Sequence, residues 1–215
     1  MTIAPGGLAW IISVGIITIA LDIGALATTG PLHLIFFSIT LLGVIGLILL
    51  AVFFRDPERT IGPGIVAAAD GVITGITTID DPDVGSCYWV KTFMNIHNVH
   101  VNRSPVDGTV TKVEHTPGGH LPAFKKDSER NERVTIHIAA PQGNIKVVQI
   151  AGTVARRIVP YIRVNDTVTR GSRIGLIRLG SRVDVYLPTT MASTPTVKIR
   201  DRVKAGEDTL AQLHA

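Results

Sequence analysis

Two long apolar stretches near the N-terminus constrain this chain more than any other feature. Residues 8–27 form a 20-residue run with one charge, Asp22, and residues 34–54 form a 21-residue run with none. At ~1.5 Å of rise per helical residue, each reaches roughly 30 Å, the thickness of a bilayer core. The connector, residues 28–33, holds Gly30 and Pro31 and reads as a tight turn. This pattern predicts a transmembrane helical hairpin over residues 1–54, followed by a second domain over 55–215. A cleaved signal peptide fits poorly, because no basic segment precedes the first run and a second run follows at once. Asp22 falls near the turn end of its span, close enough to the interface to be hydrated. Arg55 and Arg59 follow the second span, whereas the turn has no Lys or Arg. The positive-inside rule then puts both ends of the hairpin, and residues 55–215, on the cytoplasmic side of the cell membrane.

Composition agrees with this division. Hydrophobic residues make up 46% of the chain and the mean hydropathy is +0.34, yet aromatics are only 5%. The excess is aliphatic and sits mostly before residue 55, so the remainder has an ordinary globular composition. The net charge of +4 suits an anionic partner. With no dense Lys/Arg run and no aromatic–basic interleaving, that partner is expected to be a membrane surface and not nucleic acid. Cys87 is the single cysteine, which excludes an internal disulfide and a cysteine-based metal cluster. A small buried side chain is the expectation there.

Beyond residue 64 the chain alternates short apolar runs with Gly, Pro, Asp and Asn. Strands are predicted at 65–68, 72–77, 88–95, 109–113, 134–138, 145–150, 153–158, 174–178 and 183–187. Their spacing predicts a mainly β domain, a compact barrel or sandwich. Residues 117–131 read as a polar loop. Asp70-Gly71-Val72-Ile73-Thr74 and Asp107-Gly108-Thr109-Val110-Thr111 echo each other, an Asp-Gly turn before a strand. Residues 152–175 have the rhythm of lipoyl-like β-repeats. The tip at Asn165-Asp166-Thr167 lacks the lysine on which such carriers attach their cofactor.

Three elements carry groups capable of chemistry: Ala69-Asp70-Gly71, His97-Asn98-Val99-His100-Val101-Asn102-Arg103, and Leu179-Gly180-Ser181-Arg182. Singly they are weak. An Asp-Gly is usually only a turn, and Gly-Ser is usually loop material. Histidines at i and i+3 would make a metal pair on a helix, but these follow a strand and lack an obvious third ligand. No metal site is therefore expected.

Together these elements resemble the phosphatidylserine decarboxylases, pyruvoyl-dependent lipid enzymes made as proenzymes. Phe53-Phe54-Arg55-Asp56-Pro57-Glu58-Arg59 is similar to that family's junction between anchor and domain. Ala69-Asp70-Gly71 resembles its acidic motif, and His97-Asn98-Val99-His100 with Val101-Asn102-Arg103-Ser104-Pro105 its histidine motif. Asn131-Glu132-Arg133-Val134 is similar to another signature. Val147-Val148-Gln149-Ile150-Ala151-Gly152 and Val154-Ala155-Arg156-Arg157-Ile158-Val159 resemble the short branch of bacteria and archaea. Residues 179–188 resemble the cleavage segment, with Arg182 where the most studied bacterial branch has Thr.

The resemblance implies autocatalytic serinolysis between Gly180 and Ser181, giving a β chain of 1–180 and an α chain of 181–215. Ser181 Oγ would attack the Gly180 carbonyl, and Ser181 would become a covalent pyruvoyl group, the only cofactor implied. His100 is implied as the base for self-cleavage, with Asp70 orienting it. In turnover the pyruvoyl carbonyl forms a Schiff base with the amine of a serine-headgroup phospholipid and accepts electrons as CO₂ leaves. His97 is the candidate proton donor. Arg103 and Arg182, with Arg156 and Arg157, are candidates for the lipid phosphate, beside the equally plain reading of solvated or acid-paired arginines. His33, His115, His120, His137 and His214 are expected to be structural or superficial. The implied product is phosphatidylethanolamine. Two other readings stay open: decarboxylation of archaetidylserine, whose headgroup chemistry is identical, and a membrane-anchored lipoyl-like adaptor without catalysis. Homo-oligomerisation is also left open.

Overall fold

A computed structural model describes residues 2–119, 130–152, 157–178 and 181–214. Contacts divide the chain into two compact units, Met1–Glu58 and Arg59–Ala215.

In the first unit, β1 (Thr2–Ile3) precedes two helices, α1 (Leu8–Leu26) and α2 (Gly30–Phe53), and β2 (Arg55–Asp56) pairs back antiparallel on β1. Both helices are long and apolar enough to cross a membrane. Pro31 stands in the first turn of α2, where its missing N–H costs no helical hydrogen bond. At the start of α2, His33 Nδ1 lies 2.8 Å from the Ala25 carbonyl oxygen of α1. The helices touch closely where Gly43 faces Thr18. A Cβ on Gly43 would sit 2.5 Å from Thr18 Oγ1, so the missing side chain sets the approach. Elsewhere the aliphatic side chains point outward: Ile16, Ile19, Leu42 and Leu49 are all exposed. Outward-facing aliphatics all round are what a lipid-facing pair presents, not what the core helices of a soluble domain present.

The second unit is built of strands: β3 (Ile65–Val66), β4 (Gly71–Asp81), β5 (Gly85–Met94), β6 (Val101–Arg103), β7 (Gly108–Thr116), β8 (Arg133–Ala140), β9 (Gly143–Ile150), β10 (Ile158–Pro160), β11 (Thr167–Val168), β12 (Arg173–Ile177), β13 (Ser181–Pro188), β14 (Arg202–Val203) and β15 (Thr209–Ala211). Eight form one antiparallel sheet in the order β11-β7-β8-β9-β13-β5-β4-β14, and β10-β12-β6 form a smaller one. The mainly β domain behind two apolar helices is thus as the sequence predicts. Most predicted strands are present, several of them longer. β4 runs on to Asp81 because β5 pairs with it to the hairpin end at Gly85. β6, β11, β14 and β15 escape the periodicity, being too short to show a period of two. Thr153 to Arg156, in the predicted strand 153–158, lie outside the described residues, as does His120.

Strand alternation sorts the side chains. In β8 buried and half-buried residues alternate, with Val134, Ile136 and Ile138 inward. They meet Val147 of β9, Val183, Val185 and Leu187 of β13, and Val90 of β5 in one core. Each such aliphatic side chain contributes about 1.5–3 kcal/mol by leaving water. The two Asp-Gly echoes share a reason. A Cβ on Gly71 would strike the Phe93 carbonyl, and one on Gly108 would sit 2.5 Å from the Ala139 carbonyl oxygen. Each glycine lets a long strand start tight against its neighbour.

Candidate active site

Ser181 opens β13, in register with Met94, the last residue of β5. It is fully buried, and its hydroxyl donates to Met94 Sδ at 3.3 Å. Asn102 Nδ2, from β6, approaches the same sulfur at 3.7 Å. Gln149 Nε2, from β9, donates to Asn102 Oδ1 at 2.7 Å. A chain of polar groups, Ser181–Met94–Asn102–Gln149, therefore links the large sheet to the small one with every member buried. Gly175 leaves room for it: a Cβ there would lie 2.7 Å from Gln149 Nε2. Buried amides are held this way because an unmet donor or acceptor costs about 1–3 kcal/mol.

His100 is also fully buried, just before β6. Its carbonyl accepts the N–H of Ile177, the last residue of β12 and four residues before Ser181. That bond ties the histidine's backbone to the segment leading into β13. Asp70 arrives on an adjoining segment, where the N–H groups of Val66 and Arg103 donate to Pro105 and Ala68 in antiparallel fashion. Gly180 lies outside the described residues.

The Asp70 carboxylate is gripped from two sides. Arg59 Nη2 donates to Oδ1 and Oδ2 at 3.1 and 2.9 Å, and the Ala205 N–H donates to Oδ1 at 2.8 Å. Burial pushes this carboxyl above its usual range, opposed by the Ala205 N–H and the Arg59 charge. Arg59 Nη1 also reaches Glu207 at 3.1 Å. Asp70 borders a cavity of about 570 Å³ shared with His97, Asn95, Asn98, Arg202 and Lys204. His97 is exposed in a turn fastened by the Asn95 N–H donating to Asn98 Oδ1 at 2.8 Å. The described lining of that cavity does not include Ser181 or His100.

Two of the arginines singled out from the sequence, Arg103 and Arg182, have protein partners. Arg103 is buried and donates to the Gly171 carbonyl at 2.8 Å. Arg182, next to Ser181 in a strand, must point to the opposite face of the sheet. There it makes a two-pronged pair with buried Asp184, at 2.8 and 3.0 Å, and Trp89 Nε1 donates to the same carboxylate at 2.9 Å. Burial pushes Asp184 up against the pull of Arg182. A second cavity, about 400 Å³, opens on that face among Arg182, Asp184, Lys146, His137 and Tyr186. Lys146 pairs with Asp81 and Asp83. Arg156 lies outside the described residues, and Arg157 borders a shallow cleft with His115 and Glu132.

Sequence reasoning missed Arg59 as Asp70's partner, and it missed Met94, Asn102 and Gln149. Arg59, Asn102 and Gln149 all fall inside the motifs quoted above, which was the available signal. Met94 carried none.

Comparison with known proteins places these residues in context. A family model described as phosphatidylserine decarboxylase matches residues 47–211. A phosphatidylserine decarboxylase proenzyme of Thermobifida fusca is 52% identical over 162 residues, covering 75% of this chain and 72% of that protein. One of Streptomyces avermitilis is 56% identical over 137 residues, covering 63% of this chain and 62% of the relative. A Methanosarcina mazei protein named "Putative archaetidylserine decarboxylase proenzyme" is 42% identical over 214 residues, covering 98% of this chain and 97% of that one.

Proposed function

The chain belongs to the phosphatidylserine decarboxylase family, a family of carboxy-lyases, and we propose from this that it is a self-processing decarboxylase of serine-headgroup phospholipids, anchored by its helical hairpin with residues 55–215 on the cytoplasmic side. The observation that carries the reading is the fully buried Ser181, its hydroxyl held at 3.3 Å from a sulfur.

In the proposed maturation Ser181 Oγ attacks the Gly180 carbonyl carbon, and the peptide C–N bond gives way to an ester. His100 takes the hydroxyl proton and returns it to the departing amine of residue 181, and Asp70, whose carboxylate is also held by Arg59 and the Ala205 N–H, has the orienting role that the family implies. Elimination then removes the Cα proton of residue 181, breaks its Oγ–Cβ bond to give dehydroalanine and frees the Gly180 carboxylate. Water then hydrolyses the dehydroalanine, so that one water is consumed and one ammonia leaves. Closure around Ser181 supports this order of events, since water admitted early would give plain hydrolysis. The family implies the resulting pyruvoyl group, and burial beside Met94 suits a residue that loses its hydroxyl and ends in a methyl. That group supplies an electron-accepting carbonyl when formed. His97 is the proton donor that the resemblance implies, and it lies on the cavity that Asp70 borders, whose described lining does not include Ser181.

The relatives are named for two lipids, and the headgroup is common to both. Phosphatidylserine is the proposed substrate, giving phosphatidylethanolamine. The near end-to-end match with the Methanosarcina mazei protein supports archaetidylserine as the second reading. Purified protein should run as two chains, with an N-terminal pyruvoyl group on the smaller by mass spectrometry. Full activity in Ser181→Ala would refute the mechanism. Parallel assays with diacyl and isoprenoid-ether serine lipids decide between the substrates.

A further inference from the structure

The cavity bordered by Asp70 and His97 has an unusual margin. On one side the turn between β5 and β6 carries Ile96 at its tip, 61% exposed. On the other, the turn at residues 198–201 carries Ile199, 57% exposed. That second turn is firmly built. Asp201 accepts the Lys198 N–H on its side chain at 2.7 Å, and the Asp201 N–H returns to the Lys198 carbonyl at 3.1 Å. Arg200 N–H donates to the Ile73 carbonyl at 2.8 Å, which fastens the turn to β4 beside the cavity. Lys198, Arg200, Arg202 and Lys204 are all exposed here, and the last two line the cavity itself.

Arg200 has φ +79, a backbone conformation that glycine adopts freely and arginine does not. Two exposed isoleucines on anchored turns, with Lys198, Arg200 and Arg202 among them and Lys204 paired at 3.4 Å with Glu207, form a pattern that seats a protein on an anionic lipid interface. The apolar tips enter the headgroup layer and the cations meet phosphates.

We propose that the turns carrying Ile96 and Lys198-Ile199-Arg200 dock the domain on an anionic bilayer, so that a lipid headgroup enters the cavity past Arg202 and Lys204. This rests on the lipid-decarboxylase reading for its consequence in turnover, but docking itself does not depend on catalysis.

Two measurements on the full chain test it. In the first, Ile199→Cys is labelled with an environment-sensitive fluorophore, Cys87 being buried, and the protein is reconstituted in vesicles of phosphatidylcholine with or without phosphatidylglycerol. The emission should shift to the blue in the anionic vesicles and return with added salt. A label at Val164, an exposed apolar residue outside the cavity lining, should not respond. A label at 199 that reports water in both vesicles overturns the proposal. In the second, Lys198→Ser, Ile199→Ser and Arg200→Gly are combined, the glycine relieving the positive φ. Self-cleavage and turnover of a monomeric short-chain phosphatidylserine should be unchanged. The apparent KM for long-chain phosphatidylserine in vesicles should rise on the order of tenfold. Equal loss on both substrates, or no loss on vesicles, overturns the proposal. If the wild-type protein decarboxylates neither lipid, the lipid-decarboxylase reading fails and the fluorescence result still decides the docking.

Discussion

Arg59 holds both carboxylate oxygens of Asp70, at 3.1 and 2.9 Å, with the two side chains only 6% and 11% exposed. Removing one partner of such a pair strands a buried charge, a loss of about 3–5 kcal/mol. Arg59→Ala is therefore expected to be strongly destabilised, measured by denaturant unfolding in a Ser181→Ala background. Arg59→Lys should recover only part, because an ammonium cannot match the fork.

The same carboxyl sets a pH dependence. Burial raises the Asp70 pKa above 3.8 in the folded protein. A carboxyl raised on folding favours the folded state below its unfolded pKa, and that contribution is lost as pH rises through the folded value. Unfolding of Asp70→Asn compared with the parent across pH 3 to 7 should show the parent losing relative stability as pH rises through that window. Parallel curves would contradict the assignment.

Asn102 and Gln149 are expected to couple. Asn102→Leu leaves Gln149 Nε2 without its acceptor and should cost about 1–3 kcal/mol. Adding Gln149→Leu should recover part of that, giving a nonzero interaction energy in a double-mutant cycle. Gly175→Ala presses a methyl group on the same amide and on the Val159 carbonyl, 3.0 Å away. Overpacking of this kind costs about 1–3 kcal/mol, and self-cleavage should slow with it, followed by gel mobility over time.

Arg182 separates a structural role from a substrate one. Its two-pronged bond to Asp184 predicts that Arg182→Ala loses about 3–5 kcal/mol of stability. Arg182→Met with Asp184→Leu should be better tolerated than either single change. Those variants that mature should keep the parent's KM for lipid. A large rise in KM with stability intact would return Arg182 to the substrate.

The two helices and the β character of residues beyond 64 were legible in the sequence. Length and hydropathy suffice for a span, and a period of two suffices for a half-buried strand. Ser181, His100 and Asp70 came from the motifs that resemble a family, since each alone is an ordinary residue. The sequence could not tell that Arg182 turns its back on Ser181, that Arg103 is spent on the Gly171 carbonyl, or that Arg59 reaches eleven residues along to Asp70. Nor did it show that Met94, Asn102 and Gln149 converge beside Ser181 from three strands. Such facts depend on register and on which strands become neighbours. Those are settled by long-range pairing and packing, where one residue of slip sends every side chain to the other face. Composition and period determined what kinds of element this chain makes, while only the tertiary structure decided which side chains meet.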